Sequence, residues 1–326
     1  MPDHKADLPL RRRPRITNHS VSLSRRAILI AGGCALATSL TAEEKPRRIG
    51  LGFSLYGMKS LPLDRAVRAC AEIGYDCIEL PVLPDWPADS TRFPAAARKE
   101  FTKTLADEGV RLSAVMENLP LLADKVDENR DRLQRAAEIA RNLATGNPPP
   151  VETVLGGRPG EWEQVKGKMV ERLGTWARVM ADAKVVLAIK AHVGNACRTP
   201  EDLLWLLKQV DSPWIKAAYD YSHFQLQGLE LAASLKTLLP QTVFIHVKDA
   251  QGQAGKFQFL LPGAGTGTMQ VDYATYFRQL AAGNYRGDVV VEVSGQIHSQ
   301  PSYDPLAAAR QSYAPLARAF TAVGLR

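Results

Sequence analysis

A (β/α)8 TIM barrel is the fold class this sequence predicts, and two observations predict it. From about residue 50 to the C-terminus, eight apolar runs rich in β-branched or aromatic residues alternate with eight amphipathic runs. Four consecutive apolar runs in the C-terminal half also end in ionisable groups: IKAH with Lys190 and His192, YDYSHF with Asp220 and His223, FIHVKD with His246 and Asp249, and VVVEVSG with Glu292. Buried strands look like this when they deliver polar side chains to one end of a sheet. At the C-terminal mouth of a βα barrel such groups form a shared site. Alternation with short connections means parallel strands and right-handed crossovers. Closure is the simplest result for eight units, and an open doubly wound sheet is the alternative.

The first 42 residues stand apart. Ser24-Arg25-Arg26-Ala27-Ile28-Leu29 is a twin-arginine pattern, followed by an apolar, small-residue run to Leu40 and preceded by Arg11, Arg12, Arg13 and Arg15. The run is too short for a comfortable membrane span, which needs about 20 residues. Residues 1–42 are therefore predicted to be an export signal cut near Ala42. Residues 43–326 are predicted to form one barrel domain, placed in the periplasm or another extracytoplasmic space with no stable membrane insertion after cleavage. An uncleaved anchor is the other reading.

The predicted strands are Gly50–Leu55, Cys77–Leu80, Arg111–Met116, Glu152–Leu155, Val185–Ile189, Ile215–Tyr219, Val243–Val247 and Val289–Val293. The first predicted helix, Leu63–Ile73, puts Leu63, Ala66, Val67, Ala69, Cys70 and Ile73 on one broad face and ends at Gly74, a good C-cap residue. Phe93–Gly109, Asn129–Ala144, Glu161–Ala183, Thr199–Val210, Leu229–Leu239, Asp272–Gly283 and Asp304–Val323 continue the pattern. Pro200 follows Thr199 at a helix start, where a missing N–H costs nothing. The glycine-rich stretch Ala250–Met269 follows strand seven and is expected to lie over the barrel mouth as a loop. It carries no dinucleotide fingerprint, because Gly263-Ala264-Gly265 does not join a strand to a helix.

Charge narrows the partners. The formal net charge is +7, of which residues 1–42 carry seven Lys/Arg less two acids, +5, leaving 7 − 5 = +2 for the rest. A nearly neutral body gives no reason to invoke nucleic acid or an anionic membrane surface. Cys70, Cys77 and Cys197 have no metal-type spacing and are expected as buried free thiols.

Asp220, His246 and Glu292 fall at the ends of three successive predicted strands. Two carboxylates and an imidazole converging in a barrel suit a divalent metal such as Mn, Mg, Co or Zn. Singly, each has a plainer reading: an N-cap, a satisfied core histidine, a carboxylate paired with a lysine. Tyr56, Glu79, Glu117 with Asn118, and Arg158 end or follow the first four strands and are candidates for binding hydroxyls, although Glu79 and Arg158 read first as loop or pairing residues. Tyr221, Gln296 and His298 are candidates for the rim, with His298 expected to be solvent-exposed.

On the blocks GYDCIEL (Gly74–Leu80), IKAHVGNACRTPEDL, YDYSH, HVKD, LPGAGTG and GNYRGDVVVEV, the chain resembles the xylose-isomerase-like barrel superfamily of sugar isomerases and epimerases. The resemblance spans essentially all of the chain after residue 42. It implies that Asp220, His246 and Glu292 match three metal ligands, that His223 matches a substrate-contacting histidine, and that Lys248 and Asp249 match a His-x-Lys-Asp segment. One position departs. Where such families carry a glutamate on strand five, in a pattern like E-P-H, this chain has Lys190, followed two residues on by His192.

A protonated lysine cannot ligate a metal, and its charge repels one. Three outcomes stay open. The metal stays on Asp220, His246 and Glu292, with His192 or Glu117 filling the vacancy. The ammonium takes the metal's place, so that the metal is absent. Or Lys190 has a lowered pKa and acts as a base or Schiff-base amine. Beside these stands a structural salt bridge in a degenerate site.

The expected activity is proton abstraction next to the carbonyl of a small sugar or keto-sugar, by isomerisation, epimerisation or β-elimination of an oxidised glycoside. Glu292 is the expected base, with His223 or Lys190 returning the proton, and His192, Lys248, Tyr56, Glu117 and Arg158 binding substrate. The rivals are a non-catalytic carbohydrate-binding barrel and a multi-metal nuclease. The nuclease is disfavoured by only four histidines after residue 42 and by the near-neutral charge.

Overall fold

Eight parallel strands close on themselves in the computed structural model, which describes residues 49–326. They are β1 (Leu51–Ser54), β2 (Cys77–Pro81), β3 (Arg111–Met116), β4 (Val151–Val154), β5 (Leu187–Lys190), β6 (Ile215–Asp220) and β7 (Thr242–Val247). A hairpin of β8 (Asp249–Gln253) and β9 (Lys256–Leu260) follows, and β10 (Val289–Val291) completes the set. The order around the barrel is β1-β10-β7-β6-β5-β4-β3-β2. The parallel pairing of Leu51 with Val289 shuts the ring, so the open-sheet alternative is excluded. The predicted export signal lies outside the described residues. No helix among the described residues is long and apolar enough to cross a membrane.

The helices are α1 (Leu63–Ile73), α2 (Ala95–Asp107), α3 (Val126–Leu143), α4 (Trp162–Ala183), α5 (Pro200–Val210), α6 (Tyr221–Gln225), α7 (Leu231–Leu238), α8 (Tyr273–Ala282), α9 (Gly295–His298) and α10 (Pro305–Ala322). Local chemistry fixes their ends. Thr199 and Asp202 form a capping box around Pro200 at the start of α5. α1 stops at Gly74, whose φ of 107° suits only glycine, and a Cβ there would sit 2.6 Å from the Tyr313 hydroxyl.

The period of two along each strand divides the molecule into two environments. Outward residues such as Leu51, Ile78, Val115, Leu187, Tyr219, Ile245 and Val289 join the main core under the helices. Each large apolar side chain fully buried there contributes about 1.5–3 kcal/mol. Inward, Cys77, Ala114, Ala188, Ala218, Phe244 and Val290 form a separate interior cluster. Three of those six are alanines, which leaves room inside the barrel. The next inward residue towards the C-terminal ends is polar on most strands: Glu79, Lys190, Asp220, His246 and Glu292.

Two expectations on boundaries and loops need correction. β5 extends through Lys190 and β6 through Asp220, so both side chains leave from paired strand rather than from the loop beyond it. The glycine stretch after β7 is a loop only in its second half. Its first half is the antiparallel β8–β9 hairpin, whose turn residue Gly255 has φ 89°.

The second half is tied down by Asp249. One carboxylate oxygen of Asp249 accepts from the N–H groups of Gly263 (2.9 Å) and Gly265 (2.7 Å), and the other accepts from the Tyr273 hydroxyl at 2.5 Å. Asp249→Ala removes all three bonds. It is expected to destabilise the fold by about 2–4 kcal/mol, from the ~1–3 kcal/mol of each charged or buried hydrogen bond less the relief of a buried charge. Faster amide exchange over residues 261–270 would accompany the loss, and unchanged exchange there would show that the anchor is dispensable. The three cysteines are buried and free, as expected.

Candidate active site

The inward polar residues meet in one buried network. Lys190, 2% exposed, leaves β5 and donates from Nζ to His246 Nδ1 at 2.9 Å and to Glu292 Oε2 at 3.2 Å. Glu152 Oε1 on β4 lies 3.2 Å from the same Nζ, in ion-pair range but without hydrogen-bond geometry. With Nδ1 accepting, the His246 proton sits on Nε2 and is donated to Glu79 Oε2 at 2.9 Å. That oxygen also accepts from Ser54 Oγ at 2.5 Å. Lys248 bridges the remaining acids, donating to Asp220 Oδ2 and to Glu292 Oε2, the latter at 2.6 Å. Asp220 Oδ1 accepts from the Ser222 hydroxyl at 2.6 Å.

Charge sets the protonation states. Burial disfavours the Lys190 ammonium, but Glu152, Glu292, Asp220 and Glu79 outweigh it and hold its pKa above the ordinary lysine value. That direction is opposite to the lowered pKa a Schiff-base or neutral-amine role for Lys190 would need. Burial pushes Glu292 and Asp220 up, yet the neighbouring ammonium groups hold both well below the usual carboxylate range. Glu152 goes the other way, because burial and the nearby Glu79 and Glu292 outweigh Lys190 and His246. Lys190 and Glu292 are the pair in which each side favours the charged form of the other. Burial works against the His246 imidazolium, while Glu79 and Glu292 pull its pKa upward overall.

Above this network opens a cavity of about 180 Å³ lined by Tyr56, Lys190, His192, His223, Lys248 and Glu292, together with Asn118, Val154, Asn195, Phe259, Ser294 and Gly295. Drug-sized ligands occupy roughly 300–1,000 Å³, so this space suits a small molecule. Its walls hold unanswered polar atoms. His223 Nδ1 and the side-chain nitrogen of Asn195 are buried without a hydrogen-bond partner, while His223 Nε2 lies 3.3 Å from Asp220 Oδ2. His223 packs on His192 with ring centroids 4.1 Å apart, and Phe259 of the hairpin closes over it at 5.2 Å. A larger cleft, about 560 Å³, lies at the opposite end between α2 and α3. It lacks inward strand-end groups, and the polar network above marks the other end as the site.

Both histidines are neutral. Burial, reinforced by His223, Lys190 and Lys248, lowers His192 to about 2, and its Nδ1 accepts the Gly194 N–H at 3.0 Å. Burial also lowers His223 to about 4, outweighing Asp220. An unfolded histidine takes a proton near 6.5. Between that value and about 4 the unfolded chain binds more protons than the native one, so stability rises with pH across the window and falls as the pH drops. Ring-nitrogen NMR at pH 6 should show both imidazoles neutral. An imidazolium signal from His192 would contradict the burial described.

The structure brings together Lys190, His192, Asp220, His223, His246, Lys248, Glu292 and Tyr56, and it leaves two predicted substrate contacts outside. Arg158 is largely exposed and bound to Glu161. Glu117 is fully buried and faces Arg132 at 2.5 Å, so Asn118 lines the cavity in its place. Burial raises Glu117 to about 7 against the pull of Arg132. His298, expected in solvent, is half-buried with its ring 4.6 Å from Tyr56. Glu152 joins the site without a sequence signal of its own, and Glu79, which reads first as a loop or pairing residue, is paired with His246 and Ser54.

As to a divalent metal, donor atoms of Asp220, His246 and Glu292 lie within 4.8 Å of one another, as do those of Glu79, Glu152 and His246. The donor types fit. The charges among them do not: Lys190 Nζ stands where the Nδ1 lone pair of His246 points, and Lys248 takes an oxygen from each of Asp220 and Glu292. With both lysines in place the donors do not fit a divalent ion.

Comparison with known proteins places this architecture. The family model described as xylose isomerase-like TIM barrel matches residues 67–317, and the chain belongs to that family. No curated protein matches it. Among solved structures it is similar to 3-keto-D-glucoside 4-epimerase from E. coli (17% identity, 83% of this chain and 100% of that one, TM-score 0.64). It is also similar to a xylose isomerase-like TIM barrel protein from Mycobacterium smegmatis in complex with magnesium (16% identity, 85% and 98%, TM-score 0.63). A third similar structure is a xylose isomerase-like TIM barrel/4-hydroxyphenylpyruvate dioxygenase fusion protein (18% identity, TM-score 0.64), where 84% of this chain spans only 42% of the longer one. At these identities the likeness carries the fold.

Proposed function

We propose that the barrel mouth removes and returns a proton at a carbon next to the carbonyl of a small sugar or keto-sugar, as an isomerase or epimerase. The observation that carries this reading is Glu292 at the cavity floor. Its side chain is 14% exposed while those of Asp220 and Glu152 are 0% and 2%, and its Oε2 lies between two ammonium groups at 2.6 and 3.2 Å. The family and the epimerase among its structural neighbours support the class.

In this reading Glu292 accepts the C–H proton. The electron pair of that bond moves into the carbonyl, and its oxygen becomes the enediolate oxygen. A cationic N–H donor aimed there stabilises charge as it develops. As Lys190 or Lys248 turns to that oxygen, it loosens its hold on Glu292 and raises the basicity of the carboxylate. Reprotonation of the same carbon from its other face gives an epimer, and of the neighbouring carbon an isomer. Lys190, an ammonium, is the proposed donor, since His223 is neutral. His223 Nδ1 and the Asn195 side-chain nitrogen, with Tyr56 and His192, are the proposed hydroxyl contacts. The same first step on an oxidised glycoside, with a leaving group on the next carbon, ends in β-elimination.

The twin-arginine pattern at Ser24–Leu29 supports an extracytoplasmic site of action, where unphosphorylated sugars are the substrates to try first. The test is NMR of keto-sugars and aldose–ketose pairs incubated with the protein in D2O. Deuterium appearing next to the carbonyl supports the proposal. Saturable sugar binding without exchange would point instead to a carbohydrate-binding barrel.

A further inference from the structure

We infer that the Lys190 ammonium is a built-in cation that occupies the position of a divalent metal and presents one N–H to the substrate's carbonyl oxygen. Three observations carry this. First, Nζ receives the lone pair of His246 Nδ1 at 2.9 Å and the charge of Glu292 Oε2 at 3.2 Å, two of the donors a metal would need. Second, an ammonium has three N–H bonds. Two are taken up by those acceptors, and Glu152 at 3.2 Å lacks hydrogen-bond geometry, so the third remains for a ligand in the cavity that Lys190 lines. Third, the surroundings are built for a cation fixed to the chain. Glu152 on the neighbouring strand puts a buried carboxyl beneath it, and His246 is held in the accepting tautomer by Glu79 and Ser54. A lysine merely filling a degenerate site needs none of these.

The consequence is an enzyme of this barrel class that works without divalent metal. Its cation polarises by hydrogen bonding and cannot be lost to a chelator. This inference rests on the proposed function only for its chemical use, since metal occupancy is read without substrate and the two can fail separately.

The test is metal content per chain, by elemental analysis after equilibration with Mn2+ or Zn2+ and gel filtration. The wild-type protein, Lys190→Glu and Lys190→Glu/Glu152→Gln are compared, with circular dichroism as the check on folding. The double variant is included because Lys190→Glu alone crowds a fifth carboxyl among Glu79, Glu152, Asp220 and Glu292 and is prone to misfold. Expected are less than 0.1 equivalents in the wild type and close to one in at least one folded variant, a tenfold change or more. One equivalent in the wild type, lost in Asp220→Asn, would overturn the inference. So would a failure of both folded variants to take up metal, since the lysine would then not be what keeps it out.

Discussion

Lys190→Met is expected to cost the fold about 3–5 kcal/mol, the penalty for removing one partner of a buried ion pair and leaving charge behind. In a domain of this size that lowers the melting temperature by roughly 10 °C. Lys190 is 2% exposed and faces Glu152 and Glu292 at 3.2 Å each. The pH dependence has a definite sign. A lysine whose folded pKa is raised contributes fully below its unfolded value and loses the contribution only as the pH climbs through the folded one. The deficit should therefore not grow as the pH falls from alkaline values. It should shrink towards acid pH, with Glu152 first, because the stranded buried carboxyls of the variant take up protons. Adding Glu152→Leu should recover part of the loss. Urea unfolding of the three proteins checks this, and an unchanged midpoint for Lys190→Met would show that the ammonium is not fixed in the network.

The second large effect is on turnover. Glu292→Gln preserves shape and one acceptor oxygen facing Lys190 and Lys248, so the fold should survive. The variant cannot accept a proton, and kcat should drop about 10²- to 10⁴-fold, the range of general-base contributions. The affinity for sugar should change much less. Retention of activity within tenfold would shift the base to another cavity group, with His223 the next to examine.

Most of the barrel was legible because its two periods are simple. Outward strand positions are mostly aliphatic or aromatic, and the inward mouth-side position is ionisable on β5, β6 and β7 and just after β10, so Lys190, Asp220, His246 and Glu292 are legible in the sequence. Glu152 is not, for a physical reason. It stands at the second position of its short strand, opposite Ala188 and two residues before the level of Lys190. Only the small side chains lining the barrel leave its carboxyl a path upward. Glu79 reads first as a loop or pairing residue and it is a pairing one, but its partners, His246 and Ser54, are distant in sequence and so not legible. Glu117 reads as a substrate contact because Arg132, fifteen residues on along α3, gives no sequence signal that it claims the carboxylate. The β8–β9 hairpin reads as loop in the sequence since Gly252 and Gly255 mark turns and strands alike, and cross-strand pairing such as Ala250 with Phe259 is not visible in a single run.

The central claim is a proton abstraction at the barrel mouth in which Lys190 supplies the cation. Solvent deuterium exchange into a keto-sugar, followed by NMR after exhaustive chelation, tests it most directly. The account predicts exchange at an undiminished rate in the chelated wild-type protein and its loss in Lys190→Met and Glu292→Gln. Exchange that vanishes with chelation and returns with added Mn2+ would contradict it.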